Sequence, residues 1–176
     1  MAYRILFIWV EGGDDRRFFD AIIKPALERK FNLVEVRTYA NLKREKVNNY
    51  VRSIKAMSAE YIFVTDINDA PCITYRKQAK QDEFTSIDKD KVIVVIKEIE
   101  SWYLAGLDDV CSSRCGIPPC NTTDTITKEQ FNSLIPRKFA ASRIDFLREI
   151  LKYFQVEIAK QKNKSFRYFL EKHGSN

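Results

Sequence analysis

The sequence predicts an α/β fold, in which a parallel sheet of about four strands is flanked by helices. Four short apolar runs are rich in residues that favour strands: Tyr3 to Val10, Leu33 to Thr38, Tyr61 to Thr65 and Val92 to Ile96. Segments with apolar residues at helical spacing separate the first three runs. Strands that alternate with helices are typical of a parallel sheet with right-handed crossovers, so we expect a Rossmann-like arrangement.

The individual elements follow from local signals. The run from Tyr3 to Val10 is almost continuously apolar, which is typical of a strand that is covered on both faces. A helix is predicted to begin at Asp14 or Asp15, because early acids favour a helix N-terminus. A second helix is predicted from a cap at Asn41 to about Met57.

The pattern changes after Leu107. Residues 108–125 are rich in Cys, Gly, Pro, Ser, Thr and Asn, so we expect an irregular loop there. Helices are predicted at about 127–134, 138–153 and 155–172. We therefore predict a core domain at residues 1–107 and, at residues 108–176, the loop followed by basic helices packed on that core. The apolar residues of these helices can also form an interface between copies in a homo-oligomer.

The positive charge is concentrated in the C-terminal helices. The chain carries a net charge of +6, and residues 137–176 contain ten basic and four acidic side chains. This asymmetry favours a nucleic-acid partner, although a solvated helical face has the same composition. No apolar run approaches the roughly 20 residues that span a membrane. We expect no membrane partner and a cytoplasmic location.

Four cysteines are present, and no export signal accompanies them. Reduced thiols are therefore the first expectation. Cys111, Cys115 and Cys120 lie close enough in sequence to offer three zinc ligands, but their spacing is not the usual paired CxxC.

Acidic residues follow three of the four predicted strands. Glu11 follows the first, Asp66 and Asp69 follow the third, and Glu98 and Glu100 follow the fourth. Ligands of open parallel sheets bind outside the carboxyl ends of the strands, and neighbouring strands lie about 4.8 Å apart. Carboxylates in such a space repel each other unless a cation neutralises them. The sequence therefore predicts a site for Mg²⁺ or Mn²⁺ with Glu11 as its central ligand.

Helix capping is the competing explanation for these acids. It suits Asp14 best, and it suits Glu11 less well because Gly12 and Gly13 follow and allow a sharp turn. Glu98 and Glu100 share one face if the fourth strand continues through them. Trp102 and Tyr103, which come next, are expected in the core rather than on a base-stacking surface.

The segment WVEGGDDRRFF, followed by an apolar strand that runs into DIND, resembles a TOPRIM domain, as found in topoisomerases, bacterial primases and OLD-family nucleases. The resemblance places Glu11, Gly12 and Asp15 in the first motif and Asp66 in the second. Asn68 stands where the family has a second acid, and Asp69 adjoins it. EIESWYLA resembles a motif of small TOPRIM-like proteins, which places Glu100 in the site.

The resemblance, which covers about residues 5–106, implies a Mg²⁺-dependent nuclease with a role in phage defence or DNA repair. It gives the catalytic residues as Glu11, Asp15, Asp66 and Glu100. The metal ligands are expected to be Glu11, Asp66, Asp69 and Glu100, with Asn68 and Glu98 as additional candidates. The alternative is a non-catalytic module that binds nucleic acid or a protein partner through a degenerate site.

Two further expectations concern partners. OLD nucleases usually carry a fused ATPase. We expect that a separate ATPase partner could take the place of that fused ATPase here. Contacts with nucleic acid are predicted at Arg16, beside the first motif, and in the run KQKNKSFR at Lys160, Lys162, Lys164 and Arg167. A phosphotransfer enzyme on a similar sheet is disfavoured, because the chain has neither GxGxxG nor GxxxxGK[ST].

Overall fold

The computed structural model describes residues 3–174, and its sheet confirms the predicted α/β fold. The four parallel strands are β1 (Ile5–Val10), β2 (Leu33–Thr38), β3 (Glu60–Asp66) and β4 (Val92–Val95). Their order in the sheet is β2-β1-β3-β4. All four strands were predicted within two residues of their ends, because buried parallel strands have a continuous apolar signature.

The described chain forms two compact units. The first unit comprises the residues up to Val95 together with His173 and Gly174, and the second comprises Ile96–Lys172. The predicted division into a core domain ending at residue 107 and a following helical segment stays a prediction.

The helices of the first unit connect its strands. They are α1 (Gly13–Phe18), which passes through a π-helical turn at Phe19–Ile23 into α2 (Lys24–Leu27), then α3 (Arg44–Ala56) and α4 (Ile73–Glu83). The predicted cap at Asn41 is wrong, because α3 begins after Lys43. Residues 39–42 instead form a turn in which Leu42 N donates to Tyr39 O at 2.9 Å, and this turn packs Leu42 against the core.

One face of the sheet in the first unit is covered by α3. Phe7, Trp9 and Phe63 of the strands pack with Val47 and Val51 of α3 in one buried cluster. Burial of each such side chain contributes about 1.5–3 kcal/mol to stability. This packing fixes the strands in register, so that the carboxyl ends of β1 and β3 lie side by side.

The second unit is helical. It contains α5 (Ile99–Ala105), α6 (Asp109–Cys115), α7 (Lys128–Ser133), α8 (Arg143–Lys152), α9 (Val156–Lys162) and α10 (Lys164–His173). The final residue of α10, His173, is assigned to the first unit. Trp102 and Tyr103 are fully buried, as predicted. Trp102 packs edge-on against Phe166, with ring centroids 5.2 Å apart, and Tyr103 packs against Phe131 at 6.5 Å.

The helix expected at 138–153 begins later, as α8 at Arg143, after a 3₁₀ turn at Arg137–Phe139. Two further predictions for this unit are wrong. The expected loop at residues 108–125 contains α6, which Asp108 caps by accepting from Cys111 N at 2.7 Å and which Gly116 ends at φ 82°. The expected helix at 155–172 is broken at Asn163, which has an extended backbone. Both errors have local causes. Ser and Cys have low helix propensity, so α6 was not predicted, and a single Asn does not mark a helix end clearly enough to predict the break at Asn163.

The cysteines are free thiols. Within residues 3–174, no group of three His, Cys, Asp or Glu side chains is placed to hold a metal ion by itself, so the zinc alternative has no support there. Burial raises the pKa of Cys115 to about 11, which keeps that thiol protonated at neutral pH. None of the helices in the same range combines the length and the apolar character needed to cross a membrane.

Candidate metal and phosphodiester site

The carboxyl ends of the strands in the first unit are held together by backbone hydrogen bonds. Tyr39 N donates to Val10 O at 3.0 Å, and Ala40 N donates to Glu11 O at 3.2 Å. On the other side, Ile67 N donates to Val95 O at 2.9 Å. The ladder therefore continues past the strand ends and fixes the backbone of Glu11 and of the residues after Asp66.

The charges of three predicted site residues act on one phenol, that of Tyr39. Tyr39 is 3% exposed, and its hydroxyl donates to Val64 O at 3.0 Å. Burial raises the pKa of Tyr39 well above 10.0, and the negative charges of Glu11, Asp15 and Asp66 raise it further. Glu11, Asp15 and Asp66 are called the acidic cluster below, because their charges all act on Tyr39, a residue that the sequence did not single out. The signal was present, because Tyr39 directly follows β2. Within residues 3–174, no three His, Cys, Asp or Glu side chains are placed to hold a metal ion by themselves, so a metal here would need water or substrate oxygens as further ligands.

Glu11 has a buried oxygen that no protein group satisfies. Its Oε2 atom is buried and has no hydrogen-bond partner among residues 3–174. A buried acceptor in this state is costly, and a bound cation or water would remove the cost. The oxygen chemistry fits Mg²⁺, which is commonly held by one or two carboxylates and completed by water and substrate phosphate.

The two acids that follow the glycines have separate tasks. Asp15 is 8% exposed, and its Oδ2 accepts from Gly12 N at 3.1 Å, which caps α1. Asp14 accepts from Arg17 Nη1 at 2.7 Å in the first turn of the helix. Gly12 has an extended backbone at φ −136°, and the chain bends at Glu11 and Gly12, as predicted, before α1 begins at Gly13. Glu11 owes its position to the strand end and its hydrogen bonds.

The second motif ends in an exposed turn. Asn68 and Asp69 are both exposed, and Ala70 N donates to Ile67 O at 3.1 Å across them. Asn68 has a left-handed backbone at φ 49°, which Asn adopts more readily than most residues. The backbone therefore offers a reason for Asn at this position that is independent of metal binding.

A basic residue that the sequence reasoning missed lies at the end of β3. Arg76 of α4 donates from Nε to Asp66 O at 2.7 Å and from Nη2 to Thr65 Oγ1 at 2.9 Å. These bonds hold the backbone of Asp66 in place and put a positive charge beside the cluster. Residues 73–83 were not assigned to a helix because ITYRKQAKQDE lacks a clear apolar stripe.

Glu98 and Glu100 lie in the second unit, and neither continues a strand. β4 ends at Val95, and the left-handed Lys97, at φ 63°, turns the chain into α5. The expectation that the two acids share a strand face is therefore wrong. Glu98 Oε2 accepts from Lys128 N at the start of α7, so Glu98 caps a neighbouring helix.

Glu100 is buried in an ion pair. Its side chain is 4% exposed, and its Oε1 lies 2.6 Å from Arg143 Nη2. Burial raises the pKa of Glu100 above its ordinary value, and the charge of Glu98 adds to this, while Arg143 opposes it. Arg143 could not be predicted as the partner of Glu100, because it lies on α8, 43 residues further along the chain.

The basic run at residues 160–167 is partly structural. Lys160 pairs with Glu157 at 3.1 Å, Lys162 donates to Leu107 O at 2.6 Å, and Lys164 lies 3.8 Å from Asp124. Arg167 is exposed, and so is Arg16, whose Nε lies 3.4 Å from Asp20. The roles of these five residues in nucleic-acid binding stay predictions.

Between these lysines lies a buried polar network. Trp102 Nε1 donates to Ser165 Oγ at 2.8 Å, and Ser165 Oγ donates to Asn163 Oδ1 at 2.9 Å. Asn163 Nδ2 donates to Thr123 Oγ1 at 3.1 Å. The Ser and Asn of KQKNKSFR therefore join α5 to the turn between α9 and α10, and Trp102 provides the indole donor for it.

No protein-family model matches the chain, and no curated protein matches it. Among solved structures, the chain is similar to the C-terminal region of the Xanthomonas campestris pv. campestris OLD protein phased with iodine. The identity is 15% and the TM-score 0.49, over 94% of this chain and 92% of that chain. It is also similar to the C-terminal region of the Burkholderia pseudomallei OLD protein, at 14% identity and a TM-score of 0.49, over 99% of this chain and 100% of that chain. The α/β assignment itself rests on the chain's own parallel sheet.

Proposed function

We propose that this chain is a Mg²⁺- or Mn²⁺-dependent nuclease that hydrolyses phosphodiester bonds of nucleic acid. The observation that carries the proposal is the buried, unsatisfied Oε2 of Glu11 within the acidic cluster around Tyr39. The resemblance of WVEGGDD and DIND to TOPRIM motifs supports the same conclusion. The proposed role in phage defence or DNA repair depends on this resemblance.

Glu11 and Asp66 would hold the metal. Both carry carboxylates at the carboxyl end of the sheet, and both act on the pKa of the same phenol. Asp69 and Asn68 on the adjoining turn, and Glu100 and Glu98 in the second unit, remain further proposed ligands. A bound Mg²⁺ would supply Lewis-acid polarisation of a phosphoryl oxygen and a more acidic water.

The protein groups around the cluster position the reacting carboxylates. Arg76 holds the backbone of Asp66, and Asp15 fixes Gly12 directly after Glu11. Tyr39 remains protonated because its pKa is raised well above 10.0, so it adds no negative charge to the cluster. These contacts hold the carboxylates before substrate arrives, which lowers the reorganisation needed in the transition state.

Cleavage assays with a matched pair of variants test this function. Purified wild type, Glu11→Gln and Glu28→Gln would be incubated with DNA and RNA substrates in Mg²⁺ or Mn²⁺. Glu28 is an exposed acid of the same unit, 3.9 Å from Lys24, and serves as the control. We expect Glu11→Gln to lose about 10²–10³ in rate and Glu28→Gln to cleave normally. A wild type that cuts neither nucleic acid in either metal would refute the proposal.

A binding module with a degenerate site is the second candidate. The exposed, left-handed Asn68 at the position of the family's second acid favours it. It predicts salt-dependent binding of nucleic acid, or of a protein such as a separate ATPase, without metal-dependent turnover. Cleavage by wild type that is lost in Glu11→Gln would exclude this alternative.

A further inference from the structure

A cavity of about 350 Å³ opens in the first unit along β2. Its wall contains charged, aromatic and apolar side chains: Trp9, Arg16, Glu35, Arg37, Leu42 and Tyr50, with Val36 and Thr38 of β2. Two guanidinium groups in one cavity with an aromatic ring are suited to an anion that carries a flat apolar group.

Arg37 is held so that part of its guanidinium stays available. Its Nε donates to Glu35 Oε1 at 2.8 Å, and its guanidinium carbon lies 5.2 Å from the Tyr50 ring centroid and 5.1 Å from that of Phe7. Among residues 3–174, neither Nη group makes a hydrogen bond. A guanidinium fixed by a carboxylate and by aromatic rings loses little further freedom when its remaining donors bind a phosphate.

Trp9 contributes a donor that no acceptor among the described residues uses. Its side chain is completely buried and packs against Tyr50 in a tilted arrangement, with ring centroids 5.6 Å apart. The indole Nε1 is buried and has no acceptor within residues 3–174. Buried indole N–H groups usually find a partner, so this one is consistent with an acceptor that is supplied by a ligand or water.

The cavity adjoins the acidic cluster along the chain. Arg16 directly follows Asp15, and Thr38 directly precedes Tyr39. Asp15 of the cluster and Arg16 of the wall are therefore neighbours at the start of α1, and Tyr39 and Thr38 are neighbours at the end of β2. A polymer bound at the cluster has its neighbouring unit within reach of this cavity.

We propose that this cavity binds one nucleotide of a single-stranded nucleic-acid substrate, beside the phosphodiester that is cleaved. The phosphate of that nucleotide contacts Arg16 and Arg37, and its base stacks on Tyr50. The proposal rests on the proposed function, and it adds a substrate class and a subsite. A paired base has no free face for Tyr50, which is why the single strand is favoured.

Binding of a fluorescein-labelled DNA single strand of about 12 nucleotides tests the subsite, because several site sizes of known single-strand binders fit this length. Fluorescence anisotropy is followed against salt in EDTA, so that neither metal nor cleavage enters. We expect Arg16→Gln and Arg37→Gln each to weaken binding about tenfold at low salt and to lower the salt slope by about 0.7. Tyr50→Leu weakens binding, whereas Tyr50→Phe preserves it.

Three controls distinguish the loss of a direct contact with the nucleic acid from a loss of folding. Arg29→Gln removes an exposed positive charge of the same unit outside this cavity, and we expect it to change affinity by less than about twofold. Arg37→Lys keeps the charge but loses the planar fork, so it lowers affinity while keeping the salt slope. Circular dichroism and melting temperature identify any variant that fails to fold.

The outcomes distinguish this proposal from the nuclease proposal. Folded Arg16→Gln, Arg37→Lys and Tyr50→Leu that bind like wild type overturn the subsite, even if Glu11→Gln abolishes cleavage. Weakened binding by these variants supports the subsite even if wild type never cleaves. A wild type that binds the duplex form more tightly than the single strand also overturns it, because a stacked base would then be unnecessary.

Discussion

Arg143 Nη2 lies 2.6 Å from Glu100 Oε1, and this ion pair joins α8 to α5 in the second unit. Arg143 also donates from Nε to Asn132 Oδ1 at 2.9 Å, and its guanidinium lies 5.4 Å from the Phe131 ring centroid. One side chain thereby holds three helices. Glu100 therefore has a structural role as the partner of Arg143, in addition to its proposed role as a metal ligand.

Removing one partner of this buried pair is expected to cost more than neutralising the acid. Arg143→Met leaves a buried carboxylate without its cation and should lower the free energy of unfolding by about 3 kcal/mol. Glu100→Gln keeps an acceptor and should change it by less than about 1.5 kcal/mol. Chemical denaturation measures both. Arg148→Met, which breaks an exposed pair with Asp145, is the control and should cost less than about 1 kcal/mol.

The raised pKa of Glu100 predicts a pH dependence of stability. In the folded state the Glu100 carboxyl keeps its proton at pH values above its ordinary pKa of 4.5. Over that range the folded state therefore binds more protons than the unfolded state. The contribution of Glu100 is therefore most favourable below 4.5 and is lost as the pH rises through the folded pKa. The free energy of unfolding of wild type, minus that of Glu100→Gln, should fall over this range. A difference that stays constant as the pH rises from 4.5 through the folded pKa would contradict it.

Metal binding at Glu11 predicts a thermal shift. At a Mg²⁺ concentration of about five times Kd, binding to the folded state alone adds about 1 kcal/mol to the free energy of unfolding. Melting curves of wild type should therefore shift upward with Mg²⁺ or Mn²⁺. Glu28→Gln should shift equally, and Glu11→Gln should not. Equal shifts in wild type and Glu11→Gln would place the ion elsewhere.

The run at residues 160–167 should separate into structural and surface positions. Asn163→Ala leaves Ser165 Oγ and Phe166 N without their acceptor and should cost about 2 kcal/mol or more in unfolding free energy. Lys160→Gln removes a surface charge and should change stability by less than about 0.5 kcal/mol. If the run binds nucleic acid, Lys160→Gln should also reduce the salt slope of binding. A stable Asn163→Ala would show that the network is not needed.

The strands could be predicted from the sequence, but several helix ends could not. β1 and β4 are runs of consecutive apolar residues, which is the pattern of parallel strands that are buried on both faces. α6 and α4 were missed because their apolar residues are few, so their positions depend on contacts with distant segments. The cap at Lys43 rather than Asn41 likewise depends on Leu42 packing into the core.

The sequence by itself determined where acids follow strands, because the carboxyl ends of parallel strands meet at one edge and Glu11 and Asp66 lie there in any such sheet. It could not determine which acid is capped, paired or left with an unsatisfied oxygen. That depends on groups brought in from elsewhere: Tyr39 after β2, Arg76 on α4, and Arg143 on α8. Hydrogen bonds and burial act over a few ångströms in space, whereas the pattern of a sequence reports only neighbours along the chain.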